Sequence, residues 1–244
     1  MTIEIRKCAA VLGTLILAVG VIAGPAAETA GAQVNRRIDA DAKRTGDATA
    51  AFSAIMALEA LPRAVVEKAE GIAVFPLQPR LPRRRGQGPN TLRTARLLDI
   101  QGRGILSARA ENGNWSPPAF LALAGGSIPD DADLLLVAVS RRGLENMMRF
   151  EYKIDADAAV APGPLAGDAS AWTELQQRAE IFSYARSREG LAGVSIAGSA
   201  VQTDTHANER FYGKPLTSAL AIAQAASREP TPAWRAALEK HAAR

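Results

Sequence analysis

The central part of this chain is a series of short β-prone runs, each bounded by glycine, proline or a turn dipeptide. Asn112-Gly113 and Glu189-Gly190 separate neighbouring runs and predict hairpins. The runs occupy residues 72–75, 97–100, 105–110, 134–139, 150–154, 180–187 and 191–197, and a further strand begins at Ala119. Short strands that follow one another along a chain predict a mainly antiparallel sheet.

Segments with helical periodicity lie on both sides of these strands. Residues 36–61 repeat apolar side chains at helical spacing, among them Phe52 and Ile55, and Pro62 then opens a shorter helix. From Asp204 the pattern is helical again, and it ends in a short helix that carries Trp234. The predicted fold is α+β. A mainly antiparallel β-sheet, either open or barrel-like, is flanked by N-terminal and C-terminal helices.

The N-terminus has the pattern of a secretory signal peptide. Arg6 and Lys7 precede an apolar run over residues 8–23, and Ala30-Gly31-Ala32 offers a small-x-small cleavage site. The run is shorter than the ~20 residues that span a bilayer, which favours cleavage over the alternative of a retained anchor. We expect removal of residues 1–32 and export to the periplasm or cell envelope.

Charge and cysteine content narrow the classes of function. Cys8 is the only cysteine, so the chain that follows the signal peptide can form neither a disulfide nor a thiolate metal site. Removal of residues 1–32 takes away two basic and two acidic residues, and the formal net charge stays at +4. Export argues against nucleic acid as a partner. Anionic lipid head groups, acidic polymers and acidic protein surfaces remain.

Neither a catalytic centre nor a metal site is predicted. The sequence has no Gly-x-Ser-x-Gly elbow, no Walker loop and no Gly-x-Gly-x-x-Gly after a strand. His206 and His241 are the only histidines and are too few for a zinc site. Asp130, Asp131 and Asp133 could bind calcium only weakly, because they lack the EF-hand pattern. We expect a binding protein without a cofactor, and not an enzyme.

An ordered set of motifs resembles the SYLF domain, a lipid-binding family of bacterial exported proteins and eukaryotic membrane-trafficking proteins. The motifs are AEGIAVFP (69–76), GRG (102–104), WSPPAF (115–120), GGSI (125–128), RGL (142–144), SYARSR (183–188), GLAGVS (190–195) and NERFYGK (208–214). They cover roughly residues 52–214 in the order of the family. The resemblance implies a lipid-binding domain over residues 33–215, which a C-terminal helical extension over residues 216–244 would follow.

The chain departs from the family pattern in two places. After residues 126–128 the family continues with a glycine- and glutamine-containing strand, whereas here Pro129 leads almost directly to Leu134. We therefore expect that strand to be shortened or lost. The second departure is the proline- and arginine-rich stretch over residues 79–96, where the family tends to be glycine-rich and partly aromatic.

This second stretch is the strongest candidate for a binding site. It carries six arginines: Arg80, Arg83, Arg84, Arg85, Arg93 and Arg96. Each guanidinium can bind a pair of phosphate oxygens. At ~1 kcal/mol per basic residue near an anionic surface, about four engaged arginines suffice for reversible docking. We expect this segment to bind anionic phospholipid or a membrane surface, and the alternative is a solvated loop that only keeps the protein soluble.

A second candidate anion site lies on one predicted strand. Tyr184, Arg186 and Arg188 alternate and therefore project to the same side, where a ring and two guanidinium groups could meet an anion. The alternative is an exposed strand face that only covers the sheet. Trp115 is expected to pack on the sheet, with contact at a membrane interface as its alternative.

The predicted function is non-catalytic binding of anionic lipid. Arginines would attract the surface, and the helix near Phe52 and Ile55 or the terminal helix with Trp234 would add an apolar contact. Two other classes stay open. One is a cell-envelope protein that binds a partner protein or a polyanion, and the other is a carrier of a small apolar ligand, which needs an enclosed apolar pocket within the sheet.

Overall fold

The computed structural model describes residues 25–76, 100–125, 131–155, 159–167, 178–213 and 231–242. The chain divides into two compact units, Met1–Arg36 and Arg37–Arg244, and the fold below is that of the second unit. Most of the predicted signal peptide lies outside the described residues. Each helix in the described ranges is too short or too polar to cross a membrane.

Five helices and nine strands make up the described part of the chain. The helices are α1 (Pro25–Met56), α2 (Arg63–Glu67), α3 (Arg141–Met147), α4 (Thr205–Tyr212) and α5 (Pro232–His241). The strands are β1 (Gly71–Phe75), β2 (Ile100–Ala108), β3 (Ala119–Gly125), β4 (Asp133–Ala138), β5 (Glu151–Lys153), β6 (Val160–Pro162), β7 (Ile181–Ser187), β8 (Gly190–Gly193) and β9 (Ser199–Thr203). The predicted α+β class is confirmed.

The strands form one strongly curled sheet in the order β5-β9-β3-β2-β1-β4-β7. The outer edge of β7 is shared by two strands, since β6 pairs with residues 181–183 and β8 pairs with residues 184–187. The pairing of β6 with β7 is parallel, and the other described pairs are antiparallel. The mainly antiparallel sheet agrees with the sequence prediction.

Some elements differ from the predicted ones. Helix α1 begins at Pro25, well before the predicted start at residue 36. The structure adds β6 and β9, which the sequence did not predict. Both are short and carry few β-branched residues: Val160 in β6, and Val201 and Thr203 in β9. Neighbouring strands supply the hydrogen bonds and packing that make these weak segments extended.

The sheet separates two apolar cores. On one face, α1, α2 and α5 pack over side chains such as Ile105 and Tyr184. On the other face, Leu144 and Met147 of α3 pack over side chains such as Leu106. Strand β4 is buried along its whole length because it contributes to both cores, as its continuous apolar run predicted.

The apolar faces of α1 and α5 pack against each other. The rings of Phe52 and Trp234 meet edge to face with 5.5 Å between centroids, and the indole Nε1 of Trp234 donates to Ser107 Oγ at 2.8 Å. Phe52, Ile55 and Trp234 are almost fully buried. The expected apolar contact of these residues with a membrane is therefore wrong for this conformation, because burial in the core already satisfies them.

Arg109 is a buried cation that joins the ends of two helices. Its guanidinium donates to the carbonyl oxygens of Val66 and Glu67 in α2 and of Ala242, which follows α5. It also lies over the ring of Trp115, with 4.6 Å from Cζ to the centroid. Trp115 thus packs on the sheet as predicted. Carbonyls at a helix C-terminus carry partial negative charge, which suits a guanidinium.

Candidate functional site: a charged cleft between α1 and the sheet

A cleft of about 1170 Å³ lies between α1 and one end of the sheet. The α1 wall is partly made of small residues, among them Ala50 and Ala54. Charged side chains from α1, from four strands or strand ends and from the last turn of α4 surround the rest. They are Asp41, Lys43, Arg44, Asp47, Arg103, Asp133, Arg186, Asp204 and Arg210. The cleft is therefore a polar site, unlike the enclosed apolar pocket that a lipid carrier needs.

Asp204 is the centre of this charge arrangement. It follows β9 and caps α4, because its Oδ1 accepts a hydrogen bond from the backbone N–H of Ala207 at 3.1 Å. Its Oδ2 accepts from Arg44 Nη2 at 2.8 Å and from Arg103 Nη1 at 3.2 Å. Burial raises the pKa of Asp204, but the hydrogen bonds and the two positive charges outweigh it, so the pKa lies below its ordinary value.

Arg44 is the buried member of the pair of arginines. Only 6% of its side chain is exposed, and its Cζ lies 5.0 Å from the ring centroid of Phe120. Burial lowers the pKa of Arg44, and the hydrogen bond and charge of Asp204 oppose that shift. Guanidinium groups nevertheless stay protonated in proteins, so Arg44 is a buried cation. Within the described part of the chain, its Nη1 has no hydrogen-bond partner.

A second ion pair connects the same two helices. Arg210 of α4 donates to both carboxylate oxygens of Asp41 on α1, from Nε at 2.9 Å and from Nη2 at 3.1 Å. Bidentate pairs of this kind fix orientation as well as distance. Helix α1 contributes the acid, Asp41, to this pair and the base, Arg44, to the pair with Asp204.

Helix α4 is held on β3 and the residue before it by two of the motifs noted in the sequence. The backbone N–H of Phe120 donates to Asn208 Oδ1 at 2.8 Å, and Asn208 Nδ2 donates to the Phe120 carbonyl at 3.2 Å. The hydroxyl of Tyr212 donates to the Pro118 carbonyl at 2.6 Å, and Phe211 packs edge to face on Phe120. The two motifs WSPPAF and NERFYGK therefore contact each other, and this contact positions Asp204.

The structure separates the predicted set of Tyr184, Arg186 and Arg188. Arg186 lines the cleft and donates through Nε and Nη2 to Oδ2 of Asp133, its cross-strand partner on β4. Tyr184 lies on the same face but is fully buried, and burial raises the pKa of its hydroxyl. Arg188 lies exposed in the turn after β7. The prediction that these three meet one anion is wrong, because alternation fixes the face of a strand and not the depth of each side chain.

The other predicted site residues are placed as follows. Arg80, Arg83, Arg84, Arg85, Arg93 and Arg96 lie outside the described residues, and their role stays a prediction. Pro76, the last described residue before them, lines the cleft. His206 is exposed at the rim of the cleft, and His241 packs its ring edge on Phe52. Asp130 is not among the described residues, and within them no group of three potential metal ligands occurs.

Seven charged residues of the cleft were missed by the sequence analysis: Asp41, Lys43, Arg44, Asp47, Arg103, Asp204 as an acceptor, and Arg210. Two signals could have found part of this set. Arg103 lies between the glycines of GRG, where Gly104 allows β2 to approach the Val74 carbonyl too closely for a Cβ. Arg210 lies within NERFYGK. Arg44 and Asp41 carry no local signal, because a charged residue on an amphipathic helix is usually solvated.

Comparison with known proteins finds a family whose model matches part of this sequence. The family model Ysc84, described as "Las17-binding protein actin regulator", matches residues 123–241. Protein YSC84 of Saccharomyces cerevisiae is 29% identical over 129 residues, which are 50% of this chain and 28% of that protein. LAS seventeen-binding protein 3 of the same yeast is 28% identical over 129 residues, with the same coverage.

SH3 domain-containing YSC84-like protein 1 of Rattus norvegicus is 27% identical over 159 residues, which are 62% of this chain and 43% of that protein. The match therefore spans less than half the length of each of these relatives. The ordered motifs and these matches support a SYLF domain in this chain, and residues 123–241 are the part that matches the Ysc84 family model.

Proposed function

We propose that this protein is a non-catalytic binding protein that docks on anionic lipid or an anionic membrane surface. The charged cleft is the observation that favours it. Arg44 and Arg103 share the single carboxylate of Asp204. Among the residues that the structure describes, five basic and four acidic ones line the cleft. One positive charge at the cleft is therefore uncompensated by the charged residues that line it, which suits an anionic partner.

The arginine-rich segment extends this proposal beyond the cleft. Arg80, Arg83, Arg84, Arg85, Arg93 and Arg96 would add ~1 kcal/mol each where they meet anionic head groups. The sum supports reversible docking that weakens as salt rises. The apolar faces of α1 and α5 are buried in the core, so electrostatic attraction carries the docking.

Two further observations support binding over catalysis and support export. One relative is named LAS seventeen-binding protein 3, and the family description names a Las17-binding regulator. The basic and apolar pattern of residues 6–23 is that of a signal peptide. We propose that the protein acts in the periplasm or cell envelope after cleavage.

Co-sedimentation with vesicles tests the docking. Phosphatidylcholine vesicles with rising phosphatidylglycerol should retain rising amounts of protein, and less at high salt. A variant with Arg83, Arg84 and Arg85 changed to alanine should bind less. A matched control with Arg142, Lys153 and Arg188 changed to alanine loses the same charge from exposed positions outside the cleft and should bind like the wild type. Absence of binding at low salt, or an unaffected arginine variant, would disprove the role of the segment.

A partner protein with an acidic surface is the second candidate. LAS seventeen-binding protein 3 is named for a protein that it binds, and the same cleft arginines would serve an acidic protein surface. Such a partner would bind in the absence of lipid with a steep dependence on salt. Vesicle binding that is absent while the protein captures an acidic partner at low salt would favour this candidate.

A further inference from the structure

Arg103, Arg44 and the first turn of α4 surround one end of the cleft with hydrogen-bond donors. We propose that this end is a stoichiometric binding site for a phosphate ester. The inference deepens the docking proposal, on which it rests for its biological setting, by naming the chemical group that the cleft takes. It differs from surface docking, because one soluble ligand would bind one protein molecule.

The charges around Asp204 favour the binding of an anion. Both guanidinium groups approach the same carboxylate oxygen, at 2.8 Å for Arg44 and 3.2 Å for Arg103. The other oxygen is taken by the N–H of Ala207. One carboxylate cannot neutralise two cations, and the nearby Asp41 is engaged by Arg210 through both oxygens. A bound anion would offset the remaining positive charge.

One of the two arginines has open donors, and the other has a buried donor without a partner. Arg103 is 48% exposed and makes its described hydrogen bond through Nη1 alone, which leaves most of its N–H donors accessible. Arg44 is buried, lines the cleft, and keeps Nη1 without a partner among the described residues. A buried donor without an acceptor is unusual in native proteins, and this favours the binding of an acceptor group beside Arg44.

Helix α4 adds backbone donors to the same place. Thr205 and His206 line the cleft and are the first two residues of this eight-residue helix. Their N–H groups precede the first intrahelical hydrogen bond, and the helix dipole makes this end positive. Asp204 uses the N–H of Ala207 and leaves the two earlier ones to a ligand. Helix N-termini of this kind bind phosphate.

The shape of the site favours a phosphate ester over a carboxylate. Three terminal oxygens can meet a guanidinium fork and two backbone N–H groups together, whereas a carboxylate has only two oxygens. The cleft, at about 1170 Å³, is far larger than one phosphate group. The rest of an esterified polyol can therefore lie against Lys43 and Asp47 on the α1 side.

Titration with glycerol 3-phosphate tests the site. The full-length protein should bind it at a one-to-one ratio by calorimetry, with amide shifts concentrated at Gly104, Thr205 and Ala207. Arg103→Gln should weaken binding about tenfold or more, since it removes hydrogen bonds to a charged group, and Arg103→Lys should fall between. Arg142→Gln is the matched control, because Arg142 is 81% exposed and outside the cleft. It should bind like the wild type.

Vesicles distinguish a lipid head group from a soluble ester. If glycerol 3-phosphate releases the protein from phosphatidylglycerol vesicles, the site is supported and the phosphate ester that it binds is a lipid head group. Binding of glycerol 3-phosphate without any binding of vesicles supports the site with a soluble ester, while the docking proposal fails. Vesicle binding with no saturable binding of glycerol 3-phosphate overturns the site and leaves docking intact. Equal weakening by Arg103→Gln and Arg142→Gln also overturns it.

Discussion

Arg44 on α1 and Asp204 at the start of α4 are 160 positions apart in the sequence, and their side chains form a mostly buried ion pair with 2.8 Å between Nη2 and Oδ2. The same carboxylate also caps α4. One acidic side chain therefore holds a distant helix in place, starts another helix and sets the charge of the cleft. Its removal has consequences that can be measured separately.

Asp204→Asn should destabilise the fold by about 2–3 kcal/mol. The substitution keeps the size of the side chain and an oxygen for the cap, but it leaves two guanidinium groups without their counter-charge. Urea denaturation measures the effect. Asp47→Asn is the control, because Asp47 forms an exposed pair with Lys43 and should cost less than about 0.5 kcal/mol. Equal losses for the two variants would contradict the role of Asp204.

Acid should weaken the wild type more than it weakens Asp204→Asn. The pKa of Asp204 lies below the ordinary 3.8 in the folded state, so near and below that pH the unfolded chain binds more protons. The stabilisation is complete above pH ~4 and is lost as pH falls through the folded-state pKa. Denaturant unfolding at a series of pH values measures this. Parallel curves for the two proteins would show that Asp204 is not the titrating group.

Two tyrosines should respond in opposite directions to the loss of their hydroxyls. Tyr184 has a buried hydroxyl with no hydrogen-bond partner in the described part of the chain, so Tyr184→Phe should be neutral or stabilise by up to about 1 kcal/mol. The hydroxyl of Tyr212 donates to Pro118, so Tyr212→Phe should cost about 1–2 kcal/mol. Thermal unfolding measures the stability of both variants. A clear loss of stability in Tyr184→Phe would show that the hydroxyl of Tyr184 has a hydrogen-bond partner.

Two glycines should also respond in opposite directions to alanine. A Cβ on Gly104 would overlap the Val74 carbonyl, which is backbone and cannot move aside, so Gly104→Ala should cost about 3 kcal/mol or more. Gly46 lies inside α1 with nothing within 4 Å of an added Cβ. Gly46→Ala should therefore stabilise by about 0.5–1 kcal/mol. Chemical denaturation measures the free energy of unfolding of both variants. A Gly104→Ala protein as stable as the wild type would disprove the close approach of β2 to β1.

Most of the fold follows from local patterns in the sequence. The apolar run of β4, the Glu189-Gly190 turn and the stop before Ala119 are short-range signals, and the structure has each of them. The strand β9 has no such signal. Its pairing with β3 and β5 supplies what its own residues lack.

The cleft could not be predicted in the same way. Its residues come from α1, from the ends of several strands and from α4, so only the folded chain brings Arg44, Arg103 and Asp204 together. Alternation along β7 correctly placed Tyr184 and Arg186 on one face. It could not show that Tyr184 is fully buried while Arg186 lies in the cleft, because burial depends on which element packs above each position.

The guanidinium of Arg109 binds carbonyl oxygens at the ends of both α2 and α5. If the last turn of either helix unwound alone, a cation would stay in the core with part of its acceptors gone, and such states are strongly disfavoured. The two helix ends are therefore expected to open together. In amide hydrogen exchange we expect them to behave as one cooperative unit, although 175 residues of chain lie between Val66 and Ala242.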